Sequence, residues 1–204
     1  MRIGVLGGTF DPVHNGHLAV ASEVRDRLDL EEVLFVPAGQ PWLKADTRIS
    51  AAEHRVAMVR LAIAGNAHCR LSTMEITRDG PSYTLDTLAE MWRRLGTGDE
   101  VFLILGWDSL SQLPQWHGPE RIIRLCRLVA VPRPGAPRPD LAALERSLPG
   151  LSERVVLLDR PEVDISASDI RERVARGLSI AGMVPAAVED YIREHGLYSA
   201  GRQV

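Results

Sequence analysis

Arg2-Ile3-Gly4-Val5-Leu6-Gly7-Gly8-Thr9-Phe10-Asp11-Pro12-Val13-His14-Asn15-Gly16-His17-Leu18 opens the chain and decides how the rest is read. Ile3, Val5 and Leu6 form an apolar run too short for a helix, which predicts a buried strand. Gly7 and Gly8 are expected to end it and to let the backbone approach a ligand closely. Pro12 disfavours an early helix start. From Asn15 the period changes, and Leu18, Ala21, Val24 and Leu28 fall on one helical face. His14 and His17 are three apart, so within a first turn they share a side. A helix start presents unpaired N–H groups and a partial positive charge. The stretch therefore reads as a strand, a turn and a helix start that hold an anion, with phosphate the obvious one.

Outward from this unit the alternation continues. Glu31 to Pro37 reads as a buried strand and Ala38 to Lys44 as a loop. Ser50-Ala51-Ala52-Glu53 has the form of a capping box opening a helix through Ala64, with Val56, Val59 and Ile63 inward. Cys69 to Ile76 is expected to be a strand, and Gly80-Pro81-Ser82 breaks the chain. Thr84 to Leu95 reads as a helix striped by Leu85, Leu88 and Met91, with Gly96 as its stop. Val101 to Leu105 is wholly apolar, as suits a parallel strand covered on both faces. A short helical stretch runs to Leu113, followed by a loop over Pro114 to Pro119. Glu120–Leu125 reads as helix, Leu128–Val131 as strand, the proline-dense 132–139 as a rigid loop, Asp140–Leu148 as helix and Val155–Leu158 as strand. Ser166 or Ser168 caps a helix including Ile170, Val174 and Leu178. A last helix starts at Pro185 and stops at Gly196. About six strand–helix alternations argue a mostly parallel α/β sheet with helices on both faces. Ligands of such sheets bind outside the carboxyl ends of the strands, which groups four loops: 7–17, 37–44, 106–116 and 165–171.

The chain has 204 residues, which implies a single domain over 1–204 whose C-terminal helical part begins near 165. Hydrophobic residues make up 45% and charged residues 25%, ordinary for a soluble globular protein. With a net charge of −3, nothing suggests a general nucleic-acid binder, and an anionic substrate must be met by local positive charge. Cys69 and Cys126 form neither a disulfide framework nor a zinc pattern and read as small hydrophobes. The apolar start is too short for a signal peptide, and no run of about 18 apolar residues offers a membrane span. A cytoplasmic location follows as the expectation.

Glycines after a strand are weak evidence alone. This pair is neither the dinucleotide fingerprint, which needs G-x-G-x-x-G, nor a Walker loop, because no Gly-Lys-Ser/Thr follows. His-x-x-His supplies two metal ligands and no clear third, so no protein-held metal is expected. The eleven residues Gly7 to His17 do resemble, throughout, the signature of the HxGH nucleotidyltransferases. The longer form with Thr9-Phe10-Asp11-Pro12 is most similar to that of the bacterial nicotinate-nucleotide adenylyltransferases. Three later stretches resemble the same family: Gly80 to Thr84 with Asp86-Thr87-Leu88; Gly106-Trp107-Asp108 with Trp116; and Ile165-Ser166-Ala167-Ser168-Asp169-Ile170-Arg171. The resemblance spans essentially the whole chain and implies a Rossmann-like, doubly wound fold.

It also implies a reaction. The phosphate of a mononucleotide attacks the α-phosphorus of ATP and pyrophosphate leaves. The nucleophile is already an anion, so the work is to bring two polyanions together and stabilise charge at the α-phosphate. Histidine, lysine, arginine and backbone N–H groups suit that work better than paired carboxylates. By resemblance His14, His17, Lys44 and Arg171 are the catalytic set, with His17 closest to the transferring group. Gly7, Gly8, Thr9, Phe10, Gly16, Gly106, Asp108, Ile165, Ser166 and Ser168 join both histidines and Arg171 around ATP. Gly8, Thr9, Lys44, Tyr83, Thr84, Trp107 and Trp116 hold nicotinate mononucleotide. Trp116 stacks on the cationic pyridine ring, and backbone N–H groups at Thr84 and Trp107 take the nicotinate carboxylate. A lone lysine in a loop is ordinarily a solvated charge; the place of Lys44 after the second strand makes it a phosphate contact. Leu43 stands where the family often has histidine, and Ser168 where it has threonine. Magnesium is implied on the triphosphate, held through phosphate oxygens and water. The partners are then ATP and nicotinate mononucleotide, with no nucleic acid and no membrane, and a homodimer is compatible with the sequence. Within the superfamily the alternatives are a nicotinamide-mononucleotide or pantetheine-phosphate adenylyltransferase. From another class, a redox or non-catalytic dinucleotide-binding domain is opposed by the absent G-x-G-x-x-G and by His14, His17 and Arg171.

Overall fold

A computed structural model describes residues 1–41 and 49–199. Six parallel strands form one sheet in the order β3-β2-β1-β4-β5-β6: β1 (Arg2–Gly8), β2 (Glu32–Pro37), β3 (Cys69–Leu71), β4 (Glu100–Gly106), β5 (Arg127–Val131) and β6 (Val155–Leu157). From β1 the chain winds outward to β2 and β3, then crosses back to β4 and winds the other way. The order reverses between β1 and β4, and ligand crevices of doubly wound sheets open at such a reversal.

Alternate residues of each strand face opposite ways, and the two faces carry separate cores. Leu6, Phe35, Ile104 and Val129 pack on one side with α1 (Asn15–Leu28), α2 (Ala52–Ile63), α8 (Ala167–Ala175) and α9 (Ala186–Glu194), through Val24, Met58, Ile170 and Val188. Ile3, Val5, Leu103 and Leu128 pack on the other with α4 (Thr84–Trp92), α6 (Pro119–Leu125) and α7 (Leu141–Ser147), through Leu88, Ile122 and Leu144. Two short helices, α3 (Met74–Thr77) and α5 (Trp107–Gln112), complete the set, the latter running into a 3-10 turn over Leu113–Gln115. Cys126 is buried and Cys69 half-buried, both as free thiols. Among the described residues no helix is long and apolar enough to cross a membrane.

Several local expectations are corrected. Gly7 and Gly8 do not stop β1; they pair with Val36 and Pro37 as its last two residues. Ser50 does not cap α2, whose N-cap is Ala51 without a side-chain bond. The Ser50 backbone is engaged elsewhere: its N–H donates to Asp11 Oδ2 (3.0 Å) and its carbonyl accepts from Arg55 Nε (3.0 Å). The strand expected to reach Ile76 ends at Leu71, because Glu75 turns inward as part of α3 and buries its carboxyl group. Leu178 lies beyond α8 and is exposed. Of the two candidate serines, Ser166 caps α8, its Oγ accepting the Asp169 N–H at 3.1 Å.

Candidate active site

A cleft of about 380 Å³ opens at the carboxyl ends of β1, β4 and β5. Its floor is the turn after β1. His14 is the N-cap of α1, and its backbone N–H donates to His17 Nδ1 at 3.2 Å. The two rings stack with centroids 3.7 Å apart. Because His17 Nδ1 accepts, its imidazole carries the proton on Nε2, which makes Nε2–H a donor. Gly16 fits tightly here: a Cβ would lie 3.0 Å from His14 Nδ1 and 3.1 Å from Cε1, so the His14 ring would have to give way. Asn15 ties the helix start down, with its backbone N–H on the Met183 carbonyl (2.9 Å) and its side-chain amide on the Gly182 carbonyl (2.7 Å).

His14 is only 6% exposed, and its Nδ1 is buried without a hydrogen-bond partner. Burial first, and the nearby Arg133 charge second, push its pKa down to about 4. His14 is therefore a neutral ring throughout the physiological range. The folded group titrates below its unfolded value near 6.5, so between those limits the unfolded chain binds the extra proton and acid costs stability. Stability from this group is full above pH 6.5 and falls as pH drops toward 4, by about 2 kcal/mol at pH 5. Denaturant unfolding at pH 7.5 and pH 5 is expected to show that loss in the native protein and not in His14→Asn. Equal losses in both would place the acid sensitivity elsewhere.

Phe10 adopts a left-handed backbone (φ 50°), unusual for a bulky residue, and packs edge-on against His17 with centroids 4.9 Å apart. Arg171 on α8 reaches back to this turn, Nη1 donating to the Asp11 carbonyl (2.7 Å) and Nη2 to Ser168 Oγ (3.2 Å). Arg133 stands on the opposite rim, paired with Asp108 at 3.0 Å. Arg133 is well exposed and Asp108 half-buried, so this single ion pair at the rim contributes about 0–1 kcal/mol.

On the other side of the cleft, Thr84 opens α4, whose start no side chain caps; the Asp86 N–H already donates to the Tyr83 carbonyl (3.1 Å), and those of Thr84 and Leu85 have no helical acceptor. Trp116 lines the same wall with its Nε1 buried and unpartnered. Behind them Glu75 accepts from Thr87 Oγ1 (2.6 Å), and Ser82 Oγ accepts the N–H groups of Gly39 (2.9 Å) and Gln40 (3.1 Å). Burial raises the Glu75 pKa. Gly39 passes so close that a Cβ would fall on the Glu75 carbonyl oxygen.

Of the residues expected around substrates, Gly7, Gly8, Thr9, Phe10, His14, Gly16, His17, Thr84, Gly106, Trp116, Ile165 and Arg171 converge on this one cleft. Asp108, Ser166 and Ser168 stand beside it, engaged with Arg133, Asp169 and Arg171. Tyr83 stacks on His117 (4.5 Å), and Trp107 packs against the second core with Arg138 above its ring (5.8 Å). Lys44 lies outside the described residues. Arg55, Glu75 and Arg133 were not anticipated. Arg55 left one trace: it sits three and four residues before Met58 and Val59, on the stripe that α2 buries, whereas Val56 is only half-buried.

Among the described residues, no three acidic, histidine or cysteine side chains gather where they could hold a metal. Asp11 is spent on Ser50 and on the Tyr198 hydroxyl (2.6 Å). Imidazole, guanidinium and backbone N–H donors suit phosphate oxygens, and they do not form a cage for a bare cation.

Comparison with known proteins places the chain in a family. The cytidylyltransferase-like family profile matches residues 5–173. The chain is 52% identical over 198 residues to the probable nicotinate-nucleotide adenylyltransferase of Dehalococcoides mccartyi strain CBDB1, covering 97% of each. It is 50% identical over 196 residues to a protein of the same name from Roseiflexus sp. strain RS-1, covering 96% and 97%. Among solved structures it shares its fold with Plasmodium falciparum nicotinic acid mononucleotide adenylyltransferase complexed with APC (TM-score 0.77, 20% identity, 97% of this chain and 96% of that one). The complex of that enzyme with NaAD superposes with a TM-score of 0.76 at 20% identity, covering 97% of each chain.

Proposed function

The chain belongs to the cytidylyltransferase-like family and, within it, to the nicotinate-nucleotide adenylyltransferases, and from this premise we infer its reaction. A phosphate oxygen of nicotinate mononucleotide attacks the α-phosphorus of ATP, the new P–O bond forms as the bond to the β-phosphate oxygen breaks, and deamido-NAD and pyrophosphate result. The observation that carries the reading is the stacked His14–His17 pair at the turn after β1, with Arg171 bonded to the same turn in one cleft.

Each group then has a task. His17 Nε2–H donates to the α-phosphate as its charge develops. His14, held neutral, fixes the His17 ring through its own backbone N–H and adds no competing charge. Arg171 takes the β- and γ-phosphates, and Arg133 leaves Asp108 to meet the nucleotide. Lys44 is carried as a further phosphate contact. Magnesium bound to the triphosphate oxygens would neutralise part of their charge. ATP as donor and NAD biosynthesis as setting fit a cytoplasmic enzyme.

Acceptor choice rests on the wall of Thr84 and Trp116. Uncapped N–H groups at the positive end of α4 favour a carboxylate over a carboxamide. A hydrogen bond to a charged group contributes about 1.5–3 kcal/mol, roughly a 10–100-fold preference. With ATP and magnesium, pyrophosphate release is expected to be at least that much more efficient with nicotinate mononucleotide than with nicotinamide mononucleotide. Equal kcat/KM values would remove the acid preference; no release with either would remove the reaction.

A further inference from the structure

The side chain that binds the site together touches neither edge of the cleft. Arg55 is 2% exposed, one of the largest fully buried side chains in the molecule. Its guanidinium reaches three main-chain carbonyls from three separate segments. Nη1 donates to the Thr9 carbonyl (2.9 Å) and the Ala38 carbonyl (2.7 Å), and Nε donates to the Ser50 carbonyl (3.0 Å). Asp11, itself buried, supplies the counter-charge, and its Oδ2 accepts the Ser50 N–H.

The Thr9 contact matters most. Phe10 sits in a left-handed conformation that costs of order 1–3 kcal/mol and persists only where its surroundings over-determine it. Two arginines provide that restraint, one on each side: Arg55 holds the carbonyl of Thr9, and Arg171 holds the carbonyl of Asp11. A trans peptide points its N–H opposite its C=O. Fixing the Thr9 carbonyl toward Arg55 therefore aims the Phe10 N–H the other way, in a turn that lines the cleft. The Ala38 contact couples this turn to the end of β2, where the Ala38 N–H also donates to the Gly8 carbonyl (2.9 Å). A guanidinium can serve three carbonyls at once because its donors form a rigid planar fork; a lysine ammonium cannot reproduce that spread.

We propose that Arg55 is the positioning residue of this site: from beneath the sheet's edge it sets the phosphate-binding turn at Thr9–Phe10 and the two ends of the β2–α2 connection, so that donors meet the α-phosphate in register. The proposal rests on the adenylyl-transfer reading for its kinetic consequence, while its structural half stands alone. Misplacing catalytic groups by about 1 Å can cost about 10²-fold in rate.

Arg55→Lys and Arg55→Gln test it, assayed well below their melting temperatures. The expected result is a kcat lower by roughly 10–100-fold, with both KM values within about threefold of the native protein. Amide exchange is expected to quicken at residues 8–11 and 38–40 and to stay unchanged in β4 and β5. A folded Arg55→Lys protein with near-native kcat overturns the proposal. So does exchange that quickens uniformly, or failure of both variants to fold, either of which makes Arg55 a general stability residue. If the native protein itself releases no pyrophosphate, the adenylyl-transfer reading fails, and the exchange pattern still decides the role of Arg55.

Discussion

His17→Ala is expected to lower kcat by roughly 10²–10⁴-fold while leaving the fold and the affinity for ATP close to native. The size follows from what the ring does. His17 is half-buried at the first turn of α1, so truncation removes little packing. What disappears is the Nε2–H donor, oriented by the His14 N–H on Nδ1. Oriented donors of this kind contribute mainly in the transition state, because charge gathers on the α-phosphate oxygens as the β-phosphate departs. The loss should therefore fall on kcat, with KM little changed. His17→Asn, which keeps a donor without the ring's reach, should recover a minor part. Circular dichroism and ATP binding by calorimetry check the fold and the ground state. Turnover within tenfold of native in a folded His17→Ala protein would contradict the role given to this ring.

Arg171→Ala should cost 10²–10³-fold in kcat/KM for ATP, shared between both parameters. Removing a charged partner that both binds an anion and satisfies buried groups typically costs 2–5 kcal/mol. Arg171 stands in that double position, with one nitrogen on the part-buried Asp11 carbonyl and another on the exposed Ser168 hydroxyl. Its loss takes a cation from the triphosphate and one of two restraints from the Phe10 turn. The KM for nicotinate mononucleotide should move less than threefold, since Thr84 and Trp116 lie on the opposite wall. Arg171→Lys should restore charge without the fork and recover part of the ATP affinity. Steady-state kinetics with each substrate varied in turn separates the outcomes; equal loss for both substrates would mean that the whole cleft had shifted.

What could be read from the chain beforehand was whatever leaves a local pattern. Apolar runs and their spacing located all six strands and the longer helices, and the loops after β1 and β4 and before α8 converge as the doubly wound order requires. Two kinds of feature left too little pattern. Near β3 a three-residue strand and a four-residue helix are too short to show a period, so the apolar run from Cys69 reads as one longer strand. Polar side chains serving distant carbonyls were overlooked because their partners are far off in sequence: Arg55 to Thr9 spans 46 residues, and Tyr198 to Asp11 spans 187. Ser50 looked like a helix cap for the same reason, since nothing local shows that Asp11 and Arg55 claim its backbone.

The separation of the two cores by the sheet has a consequence for how such an enzyme can diversify. The histidine-bearing α1 and the arginine-bearing α8 are seated on one layer, whereas Leu85 behind Thr84, and Trp116, are seated on the other. On the proposed reading, the histidines and Arg171 that meet the phosphates are thus seated on one core, and most of the acceptor wall on the other. Rebuilding that wall for a different phosphate-bearing molecule would disturb mainly side chains of the second core, away from α1 and α8. If the proposed roles hold, the adenylyl donor site could then be kept while the recipient is exchanged.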